Sequence, residues 1–197
     1  MLLYLSGAAM RHFPDLVAEM FIDRTGCFGM GRDVYDGLNP IYVIWQRPDG
    51  GHGGSMRFLP TLGRTMLDDQ FRRLGSGRRI AHAKVWELSR FCLSSAAGPD
   101  TGACLMLGAV ALGVGFGLSR AVGVGDAGLM RLFGQTGWVP SILGTDGVCP
   151  GDINLGLWEF SDDARRRLAR RANIALPLSR LWFDQAFGGK DPAAACR

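Results

Sequence analysis

The tightest constraint on the fold lies in the run KVWELSRFCL, Lys84–Leu93. Val85, Glu87, Ser89 and Phe91 alternate there with Trp86, Leu88, Arg90 and Cys92, and a period of two specifies a strand. Strict alternation puts Glu87 and Ser89 on one face and Arg90 on the opposite one. The strand is otherwise apolar, so its charges need partners: an unpaired buried charge is very costly. Just upstream, MRFLPTLGRTMLDDQF supplies a second strand, Ser55–Leu59, closed by Pro60-Thr61, and then a short helical turn, Met66–Phe71.

The rest of the chain interleaves helices and strands. Phe13, Leu16, Val17, Met20 and Phe21 recur at steps of three and four, which predicts an amphipathic helix over Phe13–Asp23 with Pro14 in its first turn. The Gly-broken stretch Arg24–Asp36 reads as a loop. Pro40–Gln46 is a strand, and RPDGGHGG (Arg47–Gly54) turns it into Ser55–Leu59 as a hairpin. Leu74–Ile80 reads as an exposed basic loop and Ser94–Gly102 as another. Thr101–Ser119 is uncharged for 19 residues, close to the roughly 20 that span a bilayer. Its five glycines and the globular patterns on both sides favour a buried core helix, Ala103–Leu112, over a membrane span. A strand at Arg120–Val124, a helix at Leu129–Gln135 ended by Thr136-Gly137, and a strand at Trp138–Leu143 follow. The turn-rich Gly144–Asp152 leads to a strand at Ile153–Phe160. Ser161 then caps a helix with Asp162 and Asp163 in its first turn. From Asn173 the chain reads as irregular, with Trp182, Phe183 and Phe187 packing back. This pattern predicts one domain, residues 1–197, folded as a three-layer α/β/α sandwich with a mixed central sheet.

Composition narrows the function. The net charge is +4, with 20 Arg against 2 Lys, which suits an acidic or phosphate-bearing partner. Five cysteines without a CxxC pair read as reduced thiols in a cytoplasmic protein. His12, His52 and His82 are scattered, so no metal site is expected. The apolar start lacks a preceding basic region, so no signal peptide is expected. No nucleic-acid-binding motif is present.

R-F-L-P-T, M-L-D-D-x-F and W-E-L-S-R-F, in this order and spacing, resemble the acyl-homoserine lactone synthases, the LuxI-type autoinducer synthases. Upstream the likeness extends through Arg24, Phe28, the D-x-Y-D of Asp33–Asp36 and N-P-I-Y-V-I, and it weakens after Arg120. The resemblance implies a fold similar to the GCN5-related N-acetyltransferases. It also implies a reaction between S-adenosylmethionine, as substrate rather than cofactor, and an acyl group carried as a thioester on acyl carrier protein or coenzyme A. Glu87 is then the first choice for the base that takes the amine proton, or for the holder of a water that does so, with Asp33 the alternative base. Glu87 and Arg90 are implied to join Arg24, Asp33, Asp36 and Arg57 in one charged cluster, three Arg against three carboxylates, that shapes the cleft. Phe28 corresponds to an aromatic of the S-adenosylmethionine pocket. Trp86 and Phe71 complete the substrate-binding set, with Phe71 leaning to packing. The acyl pocket is expected between the core helix and the strands around Trp86 and Val122, lined by Leu105, Met106, Ala109, Val122 and Val124. A-V-G-V-G at Ala121–Gly125 lacks the hydroxyl residue of the family's 3-oxo-selective members, which argues against a 3-oxo preference.

One departure stands out. Only GMGR separates Phe28 from Asp33, whereas the family has a longer stretch with a Trp, and a Glu where Gly31 stands here. That segment supports a rival reading, a non-catalytic relative that binds a ligand. A second rival, an acyl-CoA-dependent acyltransferase for another amine, needs a pyrophosphate loop that Gly98–Gly102 matches poorly. The basic residues Arg72, Arg73, Arg78, Arg79 and Lys84, with the run Arg165–Arg171, offer a face to an acidic carrier protein or simply a solvated surface.

Overall fold

The computed structural model describes residues 1–147 and 152–188. Seven strands form one sheet in the order β1-β2-β3-β4-β5-β7-β6. They are β1 (Leu2–Ser6), β2 (Ile41–Gln46), β3 (His52–Pro60), β4 (Val85–Leu93), β5 (Arg120–Gly125), β6 (Ser141–Thr145) and β7 (Asn154–Glu159). Only β4 and β5 run parallel, and every other neighbouring pair is antiparallel. The helices are α1 (Pro14–Phe28), α2 (Met66–Gln70), α3 (Thr101–Gly115), α4 (Ala127–Thr136), α5 (Asp162–Arg171) and α6 (Leu176–Phe187).

The sheet separates two cores of different character. On one face α3 packs with α4, α5 and α6 in a continuous apolar layer that includes Trp86, Leu105, Phe133, Trp138 and Trp158. The opposite face carries two smaller clusters. One is built on α1, through Leu16, Met20 and Phe21. The other joins Leu67 of α2 to Val85, Val122 and Leu155. Between them lies a polar region. The three-layer mixed sandwich is therefore the observed architecture.

α3 is helical and almost wholly buried from Thr101 to Gly113. Its glycines serve packing: a Cβ on Gly108 would meet Val43 Cγ1 at 2.6 Å and Leu2 Cδ2 at 2.7 Å. The helix thus lies closer to β1 and β2 than any side chain permits. No helix among the described residues is long and apolar enough to cross a membrane.

Several elements differ from the sequence reading. β1 is an edge strand covered on both faces, so it shows no apolar–polar alternation to announce it. β3 begins at His52, because the turn before it is closed tightly by Arg47 N–H to Gly51 O at 2.9 Å. α1 runs on to Phe28, so Arg24 and Phe28 are helical rather than in a loop. Trp138 lies outside any strand. It follows the left-handed cap at Gly137 and donates its indole N–H to Glu159 O at 2.8 Å. β6 starts three residues later and runs into the predicted turn, part of which, 148–151, lies outside the described residues. The chain after Asn173 forms α6, whose Phe183 and Phe187 pack on Phe116 at ring-centroid distances of 5.7 and 4.8 Å.

Candidate active site

Three elements bring charge to the α1 side of the sheet. α1 presents Arg24, β3 presents Arg57, and β4 presents Glu87, Ser89 and Arg90. A single turn of 3-10 helix, Val34–Gly37, brings two carboxylates to meet them. That turn is itself a capping box: Asp33 accepts Tyr35 N–H at 2.9 Å, and Asp36 accepts Asp33 N–H at 2.8 Å. α1 is fixed over the hairpin at its other side, where Glu19 accepts His52 N–H at 2.8 Å and His52 Nδ1 lies 2.6 Å from Asp23.

Arg24 grips Asp36 with both terminal nitrogens, at 3.1 and 3.2 Å. Arg57, fully buried, donates from Nη1 to Asp33 at 2.5 Å and to Asp36 at 2.8 Å, and from Nε to Ser89 Oγ at 3.2 Å. Arg90 closes on Asp33 from Nε at 2.9 Å and Nη2 at 2.6 Å. The Tyr42 hydroxyl donates to Asp36. Burial is the largest single influence on both aspartates and pushes their carboxyls up. It is outweighed at Asp33 by the bonds and charges of Arg57 and Arg90, so that carboxyl is lowered. At Asp36 the bonds from Tyr42 and Arg24 bring it down to about 2. Both therefore stay ionised, as an ion-pair layer removed from solvent requires.

Arg90 reaches this layer because β4 is bulged. Arg57 pairs with Ser89 but Ser55 pairs with Cys92, so two residues of β4 oppose Met56 alone. Arg90 is the extra residue and takes a left-handed conformation, φ 56°. This corrects the strict alternation: Arg90 lies with Glu87 and Ser89, Phe91 passes to the α3 side, and Cys92 to the α1 side. A left-handed Arg costs of order 1 kcal/mol, and the two charge-assisted bonds to Asp33 Oδ2 offset it. The Arg90 guanidinium also stacks over Phe28, 5.0 Å from the ring centre, and approaches Met30 Sδ at 3.6 Å.

Glu87 stands apart from the ion pairs and differs from the aspartates. It is 1% exposed, and Oε2 accepts Leu67 N–H at 2.6 Å. Its Oε1 makes no hydrogen bond among the described residues. Burial raises the carboxyl above its ordinary value, and the Leu67 amide and the Arg57 charge only partly counter it. The hydrogen-bonded pairing of β4 with β5 ends here, at Glu87–Val122, although both strands continue.

The shortened segment before Asp33 still delivers the network. A Cβ on Gly31 would lie 2.6 Å from Phe21 O and 2.8 Å from Thr25 Oγ1. The chain therefore folds back against α1 so closely that a Glu is excluded there. Trp45 does not replace the missing Trp: it packs on Trp182, on the far face. A cavity of about 290 Å³, lined in part by Arg11, Phe21 and Arg32, reaches the network at Asp36 and Tyr42.

Other sequence-predicted residues fall elsewhere. Trp86 is buried on the α3 side, edge-on to Phe116 at 5.6 Å, and so does not face the charged cluster. Phe71 packs beside Leu67 and Leu74. Leu105, Met106 and Ala109 are fully buried together on α3. Val122 and Val124 lie on the opposite face of the sheet, so the five do not line one pocket; Ala121 is the β5 residue that meets α3. Of the basic residues, Arg72 and Arg79 bind Asp68, Arg79 also caps carbonyls of 61–63, and Arg165, Arg166 and Arg171 bind Asp162, Asp163 and Asp100. Sequence reasoning missed Tyr42 and Ser89. The available signal for Tyr42 was a hydroxyl inside an apolar strand, directly across from Arg57.

Residues 15–167 match the family model described as autoinducer synthase. This chain belongs to the autoinducer synthase family. It is an enzyme of that family, an acyltransferase. An acyl-homoserine-lactone synthase of Rhizobium etli is 34% identical over 151 residues, covering 73% of this chain and 70% of the relative. Among solved structures, the CoA-dependent acyl-homoserine lactone synthase MesI superposes with a TM-score of 0.77 at 18% identity, over 90% of this chain and 98% of that one. A putative N-acetyltransferase from Lactobacillus plantarum gives 0.54 at 13% identity, over 81% of this chain and 99% of that one. The family fold therefore shares its architecture with N-acetyltransferases.

Proposed function

We propose that this protein synthesises an N-acyl-homoserine lactone in the cytoplasm, from S-adenosylmethionine and an acyl thioester of phosphopantetheine. The observation that carries the reading is the contrast between carboxylates. Asp33 and Asp36 are held ionised by three arginines, while Glu87, raised by burial and held at Oε2 by the Leu67 N–H, is free to accept a proton. Glu87 takes the proton from the α-amine as it attacks the thioester carbonyl. Asp33 is the poorer base, since Arg57 and Arg90 both oppose its protonation. Past Glu87 and Val122 the facing edges of β4 and β5 carry main-chain N–H groups suited to the tetrahedral oxyanion. The thiolate leaves and an amide remains. A methionyl carboxylate oxygen then attacks the γ-carbon, the C–S bond breaks with its electron pair moving to the sulfonium, and methylthioadenosine departs. In this scheme Arg90, backed by Phe28, orients the methionyl group. Leu105, Met106 and Ala109 receive the acyl chain on the α3 side.

The internal pairing of Arg72, Arg79, Arg165, Arg166 and Arg171 leaves carrier protein and coenzyme A as open donors. Purified protein given S-adenosylmethionine with a series of acyl-CoAs, and in parallel acyl carrier proteins, is expected to release methylthioadenosine and a lactone in equal amounts. Folded protein that releases neither with any donor would favour the ligand-binding rival.

A further inference from the structure

α1 and β4 meet a second time, just beyond the ion pairs. Cys27 lies in the last turn of α1, three residues after Arg24, and Cys92 lies two residues beyond the Arg90 bulge. Their sulfurs are 2.7 Å apart. A disulfide needs about 2.05 Å, so closing the bond takes a movement well under an ångström. The two thiols differ in access: Cys27 is exposed, whereas Cys92 is 1% exposed. The bulge creates this meeting, since strict alternation would send Cys92 into the α3-side core.

We infer that Cys27 and Cys92 form a thiol–disulfide site that hydrogen peroxide closes and thiol reductants reopen, clamping the end of α1 to β4 beside the charged network. The chemistry balances in two steps. The Cys27 thiolate sulfur attacks one peroxide oxygen; the O–O bond breaks and the departing hydroxide takes a proton to become water. Cys27 is now a sulfenic acid, oxidised by two electrons. The Cys92 sulfur attacks the sulfenic sulfur, the S–O bond breaks, and the Cys92 proton leaves with the hydroxide as a second water. Two thiols and one peroxide thus give one disulfide and two waters. Burial first, and then the contact with Cys27, pushes the Cys92 thiol up, so it stays protonated and acts second. Cys104, buried in the α3-side core, serves as an internal control.

The clamp acts where the site is most sensitive to position. Arg24 holds Asp36 from α1, and Phe28 rests on Arg90. Drawing the helix end toward β4 shifts these groups against one another, and misplacement of this size slows positioned chemistry strongly. Turnover of the oxidised protein is expected to fall at least tenfold and to return on reduction. This activity arm rests on the proposed lactone synthesis; the covalent and thermal arms do not.

The test treats full-length protein with hydrogen peroxide, blocks remaining thiols by alkylation, and maps peptides without reduction. A linked pair carrying Cys27 and Cys92, abolished by dithiothreitol, is expected, with a higher thermal midpoint for the oxidised form. Cys27→Ser, at an exposed position, is expected to fold, keep its reduced-state activity, form no link and resist peroxide. Recovery of both cysteines alkylated, over-oxidation of Cys27 alone, or linkage only through other cysteines would overturn the site. A formed link with unchanged turnover would overturn its control of activity. If reduced protein makes no lactone, the proposed function fails separately, while the peptide map and the melting curve still decide the bond.

Discussion

Glu87→Gln separates proton transfer from architecture. Glu87 is 1% exposed, with Oε2 held by Leu67 N–H at 2.6 Å. Gln keeps the shape and retains an oxygen acceptor for that N–H, but it cannot take a proton. Two small effects on stability oppose each other. Losing a charge-assisted bond costs on the order of 1 kcal/mol. Against this, a carboxyl raised by burial contributes stability below its unfolded pKa and loses it as pH rises through the folded value, so at neutral pH its ionisation weakens the fold. The thermal midpoint should therefore move by no more than roughly 2–4 °C. Catalysis should respond on another scale, since a positioned general base is worth about 10²- to 10⁴-fold, or about 3–5 kcal/mol of barrier. Methylthioadenosine release, followed by chromatography across pH, is the assay. Wild-type turnover should climb with pH through a raised acidic limb, and the Gln variant should be at least a hundredfold slower and lack that limb. A Gln variant that keeps more than a third of wild-type turnover would refute Glu87 as the base. Glu87→Ala is less clean, because it leaves the Leu67 N–H unpaired at about 1–3 kcal/mol and adds a cavity.

Asp36→Asn should remove an acid-sensitive contribution. The carboxyl falls from 3.8 to about 2, so its stabilisation, roughly 2 kcal/mol, is present above pH 4 and lost as pH drops toward 2. Acid titration of the fold by circular dichroism should show a shallower slope in that window for the variant. Gly31→Ala forces a Cβ to 2.6 Å from the Phe21 carbonyl oxygen, and should cost about 1–3 kcal/mol in urea unfolding. Arg90→Gly relaxes the left-handed backbone while giving up the grip on Asp33. Its unfolding free energy should fall by about 2–4 kcal/mol, the broken buried pair outweighing the relaxed backbone, while turnover drops at least tenfold.

The parts of this molecule that alternate or recur cleanly were legible in the sequence. The hairpin strands, the core of α3, the C-cap of α4, the N-cap of α5 and the α/β/α class follow from period and capping chemistry, with no tertiary information. Asp33, Asp36, Arg24, Arg57 and Arg90 were recognisable as a group through the resemblance to the acyl-homoserine lactone synthases, and they meet here. Pairings were not legible, since five groups admit several arrangements and only the 3-10 turn fixes which oxygen faces which arginine. β1 and α6 escaped for different reasons: β1 is covered on both faces, so burial erases the polar half of its pattern, whereas α6 leaves Leu178 and Leu181 exposed and buries Ser179, which blurs its apolar stripe. Val122 and Val124 were placed on the wrong face because the face of β5 is set by its ladders with β4 and β7, which lie far away in sequence.

The bulge at Arg90 makes the site depend on residue count as well as residue identity. Deleting one residue between Ser89 and Cys92 would leave most of the local composition intact. It would also return β4 to simple alternation: without Phe91, Arg90 would turn to the α3 side, and without Arg90 the hold on Asp33 would be gone. An aligned relative lacking that extra residue could match every charged position in the motif and still aim its strand differently. Gap placement at this point of a sequence comparison therefore carries as much information about the site as the letters on either side.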